Sequence, residues 1–191
     1  MSRAVEPIRD PKKIAVIRSM LKIEGHPRDY LLFVLGINFA LRISDLLALT
    51  VGDVIDEQYQ VKPSFTIREK KTRKQRKTVI NKPAREALEW FLNQTDYPER
   101  DTYLFKSLRS SKPVDSVQVW RLLKVWCKKA GVNEDCGTHT LRKTWGYHAR
   151  KKGVPLELIQ AKFGHSSPAI TRRYIGITAD EIAAVEDEVC L

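Results

Sequence analysis

A handful of residues stand at spacings suited to chemistry on a phosphate group. Arg42 interrupts the apolar stretch Leu41-Arg42-Ile43-Ser44-Asp45-Leu46-Leu47-Ala48-Leu49, where an uncompensated charge is costly. His139 and Arg142 are three residues apart in His139-Thr140-Leu141-Arg142, which puts imidazole and guanidinium on one face at a helix start. His165 stands in Gly164-His165-Ser166-Ser167, and Tyr174 lies nine residues beyond it. A run of cations, Lys70-Lys71-Thr72-Arg73-Lys74-Gln75-Arg76-Lys77, lies between the first arginine and the first histidine.

These types fit a metal-free route. Such a route needs a side-chain nucleophile, cations that neutralise charge on the non-bridging oxygens, and a proton donor for the departing oxygen. Arginine suits the second task because its planar fork donates two parallel hydrogen bonds and stays charged. A tyrosine nucleophile suits a product that must remain energy-rich, since a phosphotyrosine bond keeps the energy of the bond it replaces. The sequence has no glycine-rich Walker loop, no carboxylate cluster spaced for divalent cations and no zinc-spaced His/Cys set, so neither metal nor cofactor is expected.

Taken singly, each residue has a second reading. Arg42 could pair with Asp45 in a buried salt bridge. Lys70, Lys71 and Lys74 could be a solvated hairpin tip or nonspecific phosphate contacts. Either histidine alone fits a hydrogen-bonded structural role. Tyr174, beside Arg172-Arg173, alone fits a packing residue with an exposed hydroxyl.

The elements that must hold these residues are mainly helical. Asp10-Pro11 is a capped helix start, followed by Ile14, Ile17 and Leu21 at helical spacing, and Gly25 and Pro27 end it. Residues 28 to 41 form a helix apolar around most of its circumference, hence buried by other helices. Ile43 to Leu49 continues the apolar pattern, and Val51-Gly52-Asp53 breaks it. From Ser64 to Ile80 the period shifts towards two, which predicts a β-hairpin with the cationic run at its tip. Helices follow at 84–94, 116–130, 140–152 and 156–163. Thr178-Ala179-Asp180-Glu181 fits a capping box, and Ile182, Val185 and Val189 then form a narrow apolar stripe on a short acidic helix.

Composition narrows the partner. The 191 residues carry 34 Lys plus Arg against 23 acids, a formal net charge of +11. Residues 178 to 191 hold five acids and no Lys or Arg, which leaves +16 on residues 1 to 177. A polycation of this kind favours a polyanion, because each phosphate it neutralises releases condensed counterions. The three cysteines, Cys127, Cys136 and Cys190, lack paired spacing and read as reduced thiols of a cytoplasmic protein. The longest apolar run, Tyr30 to Leu41, is too short to span a bilayer, and no membrane association is expected.

Over about residues 4 to 178 the sequence resembles the tyrosine recombinase, or phage integrase, family. The family pattern is Leu-Arg-x-Ser-acidic-Leu, a hairpin Lys, His-x-Leu-Arg, Leu-Gly-His-Ser-Ser and then Tyr, and the elements occur here in that order, with Phe163 in place of the Leu before Gly164. The resemblance implies a mainly α catalytic domain over residues 1–177, with a small antiparallel sheet near 54–80, of the type shared with type IB topoisomerases. The acidic helix at 178–191 belongs to the same domain, packed on it or exchanged with a neighbouring protomer. Arg42 and Arg142 are then expected to clamp the scissile phosphate, His139 to assist proton transfer and His165 to add a hydrogen bond. Lys71, three residues before Lys74 in Lys-x-x-Lys-x-Arg, matches the lysine that protonates the leaving 5′ oxygen. Tyr174 is the expected nucleophile, forming a 3′-phosphotyrosyl link, and Asp45 matches a bracing acidic residue. Lys70, Arg73, Lys74, Arg76, Lys143, Arg172 and Arg173 are the expected DNA contacts.

The implied activity is site-specific recombination of double-stranded DNA by a homotetramer on the DNA, from protomers that can be monomeric in solution. The alternatives are a catalytically silent DNA-binding regulator and a relaxing topoisomerase. Family members usually carry an N-terminal helical domain that closes over the DNA, and here the first Arg motif is already at residue 42. The chain is therefore expected to be either a fragment or a minimal recombinase resembling the short fimbrial-switch invertases, with weak, salt-sensitive DNA binding.

Overall fold

The centre of the molecule is the most apolar helix, α2 (Pro27–Phe39), whose residues 29–36 and Phe39 are all buried. It packs against α1 (Pro11–Ile23), α5 (Lys82–Gln94) and α7 (Thr138–Lys151). The computed structural model describes residues 5–96 and 98–176, with residues 183 and 187–189 beyond them. The acidic helix expected at 178–191 and Cys190 fall almost wholly outside these residues.

α1 begins as its sequence predicts: the Asp10 carboxylate accepts from Lys12 N at 2.8 Å, Pro11 opens the helix, and Ile17 and Leu21 are buried. Two short helices, α3 (Ile43–Leu46) and α4 (Val51–Val54), follow α2. The second corrects the expected break at Val51-Gly52-Asp53. Asp53 Oδ2 accepts from both Thr50 N at 2.8 Å and Thr50 Oγ1 at 3.1 Å, and this reciprocal cap stabilises one helical turn.

The hairpin is present as β1 (Ser64–Arg68) paired antiparallel with β2 (Gln75–Val79). Phe65 faces Thr78 across the strands and both are buried, while the partner positions Thr66 and Lys77 are exposed. The loop is residues 69 to 74, so Gln75, Arg76 and Lys77 lie in a strand rather than at the tip.

Behind the hairpin come α5, α6 (Ser116–Lys129), α7, α8 (Leu156–Phe163) and α9 (Pro168–Ile175). α7 starts at Thr138 rather than Thr140, which places His139 inside its first turn. α9 was not expected from periodicity, although Ser167-Pro168 is a helix start: Ser167 Oγ accepts from Ile170 N at 3.5 Å.

Two close approaches fix α7. A Cβ at Gly36 of α2 would lie 2.5 Å from Leu141 Cδ1, and one at Gly146 would lie 2.6 Å from Phe163 Cζ and 3.1 Å from Ile175 Cγ2. Glycine at these positions lets α2, α8 and α9 come into contact with α7. The buried apolar residues form one large cluster around α2 and a smaller one of Ala40, Ala149, Ile159, Phe163 and Ile175. α7 contributes to both. No helix among the described residues is long and apolar enough to cross a membrane.

Candidate active site

Arg142 lies where the two clusters meet and is only 2% exposed. Its Nη1 donates to the Ala40 carbonyl at 2.9 Å and its Nη2 to the Phe163 carbonyl. The guanidinium carbon stands 4.7 Å from the centroid of the Phe163 ring and 5.9 Å from that of Tyr174. Ala40 ends α2 with φ +54, a left-handed conformation rare for a residue with a Cβ, and its carbonyl meets Arg142. Burial, with Arg42 and Arg76 nearby, lowers the Arg142 pKa to about 10, so the guanidinium remains charged at neutral pH.

The Tyr174 hydroxyl is 2.6 Å from His139 Nδ1. The two residues are 35 apart in sequence and meet because α7 and α9 pack together. The His165 ring centroid is 4.8 Å from that of Tyr174, and its Nδ1 is 3.1 Å from the buried Thr171 Oγ1. Burial first, and then the Arg142 and Arg42 charges, lower the His165 pKa to about 4. His139 is lowered as well, by burial and then by Arg142, Lys143, Arg42 and Lys71. Burial raises the Tyr174 phenol, with Arg142 and Arg42 opposing it. Both shifts favour the neutral forms, an imidazole and a phenol in hydrogen-bond contact beside fixed cations.

Arg42 is part-buried and pairs with Glu69, not with Asp45: its Nη1 lies 2.8 Å from Glu69 Oε2. Asp45 is buried, and its Oδ1 accepts from Lys70 N at 2.9 Å. Arg42, His139, Arg142, His165 and Tyr174 thus converge. Lys71 is exposed on the hairpin loop, close enough for its charge to act on His139.

The expected DNA contacts divide. Lys70, Arg73, Lys74, Arg172 and Arg173 are exposed. Arg76 instead turns inwards, with Nη1 3.1 Å from Glu69 Oε1. Lys143 is only 7% exposed, with its ammonium 5.5 Å from the Tyr174 ring centroid and its pKa lowered chiefly by burial. Three residues were not foreseen. Glu69 hides as one acid beside a run of cations; Thr171 carries no motif; and Lys162, whose pKa burial lowers to about 8 with Arg76 and Arg142 contributing, reads as an ordinary helix lysine. Among the described residues no group of three or more His, Cys, Asp or Glu is arranged to hold a metal ion.

The phage integrase family model matches residues 12–181. A probable integrase/recombinase of Bacillus subtilis (strain 168), YoeC, is 41% identical over 180 residues, covering 94% of each chain. The tyrosine recombinase XerA of Pyrococcus furiosus is 31% identical over 157 residues, 81% of this chain and 52% of that protein. Among solved structures, XerA recombinase superposes with a TM-score of 0.76 at 22% identity, over 98% of this chain and 66% of the other. XerH bound to its palindromic difH substrate after cleavage gives 0.73 at 19%, over 97% and 54%. The chain thus spans nearly all of the Bacillus relative and between about half and two thirds of these Xer recombinases. It belongs to the phage integrase family and is by class a site-specific tyrosine recombinase, with the catalytic-domain fold of that group.

Proposed function

We propose that this chain cuts and rejoins double-stranded DNA by two successive transesterifications through Tyr174. The observation that carries this reading is the 2.6 Å contact between the Tyr174 hydroxyl and His139 Nδ1, beside the Arg142 guanidinium. With its proton on Nε2, neutral His139 accepts the phenolic proton as the Tyr174 oxygen attacks phosphorus. Arg42 and Arg142 donate to the non-bridging oxygens, where negative charge accumulates. His165, with Nδ1 occupied by the Thr171 hydroxyl, presents Nε2–H as a further donor. The P–O bond to the 5′ oxygen breaks, that oxygen takes a proton from Lys71, and a 3′-phosphotyrosyl link remains. A 5′ hydroxyl from a partner strand then gives its proton back to the now neutral Lys71 amine as its oxygen attacks phosphorus, and Tyr174 leaves, taking its proton back from the His139 imidazolium.

Exchange between two duplexes calls for four protomers on DNA, and the exposed cations of the hairpin and α9 supply phosphate contacts that bind without reading sequence. The cytoplasm is the proposed compartment, in keeping with buried free thiols at Cys127 and Cys136.

The test is a nicked suicide duplex carrying the target site, incubated with the protein and denatured. A covalent adduct is expected from the wild type and none from Tyr174→Phe. An adduct that persists in the variant would mean a different nucleophile. Binding with no adduct would favour a silent regulator, and relaxation of supercoils by a monomer without strand exchange would favour a topoisomerase.

A further inference from the structure

Lys71 is the least anchored member of the proposed machinery. Among the described residues none is hydrogen-bonded to its ammonium, so the reach of that group is set by the loop that carries it. The loop is pinned on both sides of Lys71. On one side Asp45 Oδ1 accepts from Lys70 N at 2.9 Å, and on the other Glu69 Oε2 accepts from the Thr72 hydroxyl at 2.7 Å. Glu69 also closes the loop through its backbone, accepting from Arg73 N at 2.9 Å and donating its own N–H to Lys74 O at 3.0 Å.

The same carboxylate holds Arg42 at 2.8 Å and Arg76 at 3.1 Å, and Glu69 is only 4% exposed. Burial alone would raise its pKa, yet hydrogen bonds from Thr72, Arg42 and Arg76 outweigh that and hold it at about 2. It is therefore an anion at any working pH. A permanent negative charge beside a phosphate site repels the substrate, so its presence calls for a compensating role. The geometry provides one. Glu69 joins a residue proposed to hold the phosphate, Arg42, to the loop proposed to protonate the leaving oxygen.

We propose that Glu69 is a positioning residue for proton delivery: by fixing the 69–74 loop to Arg42 it holds the Lys71 ammonium in line with the departing 5′ oxygen. This rests on the strand-cutting reading above. The action is indirect, since Glu69 passes no proton itself. Thr72 transmits the position to the loop, and the Arg76 pair completes the coordination of the buried carboxylate.

Leaving-group chemistry separates this role from a merely structural one. A duplex with sulfur in place of the bridging 5′ oxygen expels a thiolate, which needs no proton because a thiol is far more acidic than an alcohol. A group that acts through proton delivery then becomes dispensable, whereas one that stabilises charge on the non-bridging oxygens does not. Glu69→Ala and Thr72→Val are compared with Lys71→Ala and Arg42→Ala on both suicide duplexes, with thermal melts of each variant. General acid catalysis contributes on the order of 10²–10⁴-fold.

Glu69→Ala is therefore expected to slow cleavage of the oxygen substrate by about 10²-fold. On the sulfur substrate the loss should shrink to less than about 5-fold, the pattern expected of a defect in proton delivery such as Lys71→Ala. Thr72→Val leaves the Arg42–Glu69 pair in place and keeps the test decisive if Glu69→Ala does not fold. It is expected to show a smaller loss, likewise rescued by sulfur. Equal losses on both substrates, as expected for Arg42→Ala, would overturn the proposal, as would no loss on either. If wild-type protein forms no adduct with either duplex, the strand-cutting reading fails and this inference falls with it; an adduct from wild type with unrescued variants overturns the inference alone.

Discussion

The Tyr174 hydroxyl and the His139 imidazole, proposed as nucleophile and base, are within hydrogen-bond reach of each other, and the surroundings of both favour the neutral form. Burial opposes the charged form of each histidine and of the phenol alike, and the neighbouring arginines oppose the imidazolium forms further. This has a consequence for stability. His165 is lowered to about 4 in the fold, from an ordinary 6.5. Between those values the unfolded chain binds more protons than the folded one, so stability rises with pH across that window and its deficit is complete below about 4. The melting temperature of the DNA-free protein should therefore fall as pH drops from 6.5 to 4, and less steeply in His165→Gln. Equal slopes in the two proteins would show that His165 does not drive the change. Glu69 acts in a lower range, since its stabilising contribution is present above 4.5 and is lost as pH falls through about 2.

At the scale of elements, α7 brings the site together, and it depends on tight packing at both ends. Gly146→Ala would drive a methyl group into the Phe163 ring, which contacts Arg142, His165 and Tyr174. Overpacking of this kind costs about 1–3 kcal/mol. Adduct formation should fall in Gly146→Ala even where thermal melts show the variant folded, because the displaced ring disturbs three site residues at once. A variant with normal cleavage would show that the ring yields without moving them. Much of this architecture is legible in the residues: α1, α2, α5, α6, α7 and α8 follow from caps and apolar periodicity, and the hairpin from a change of period. α9 is marked only by its Ser167-Pro168 start and by one short amphipathic pattern, in which Thr171 and Ile175 are buried and Arg172 and Arg173 exposed. Lys143 is among the expected DNA contacts, but α7 is covered on several sides and buries it. The Glu69 to Arg42 pair spans 27 residues, and nothing local announces it. The two carbonyls that hold Arg142 are backbone groups, present at every residue and marked by no side-chain type.

For the molecule as a whole, the excess of cations predicts binding dominated by counterion release. A face making six to ten phosphate contacts loses roughly 10³–10⁵ in affinity between about 50 and 200 mM salt. Titration of a nonspecific duplex across that range should show such a fall, and a binding constant indifferent to salt would contradict it. Arg142 is the other global feature, since its guanidinium bridges the end of α2 to the end of α8. Removing it leaves two buried carbonyls unsatisfied at about 1–3 kcal/mol each. Arg142→Ala should therefore lose about 2–5 kcal/mol in denaturant unfolding as well as its chemistry. Tyr174→Phe deletes one hydroxyl from a half-buried ring and should unfold close to wild type.

That contrast bears on how a lineage of such proteins could lose strand cutting. Mutating the arginine endangers the fold and would be purged, whereas on the proposed mechanism mutating the tyrosine would remove catalysis and spare the scaffold. Descendants that survive as silent DNA binders should therefore be recognisable by a changed residue at position 174 and an arginine still present at 142.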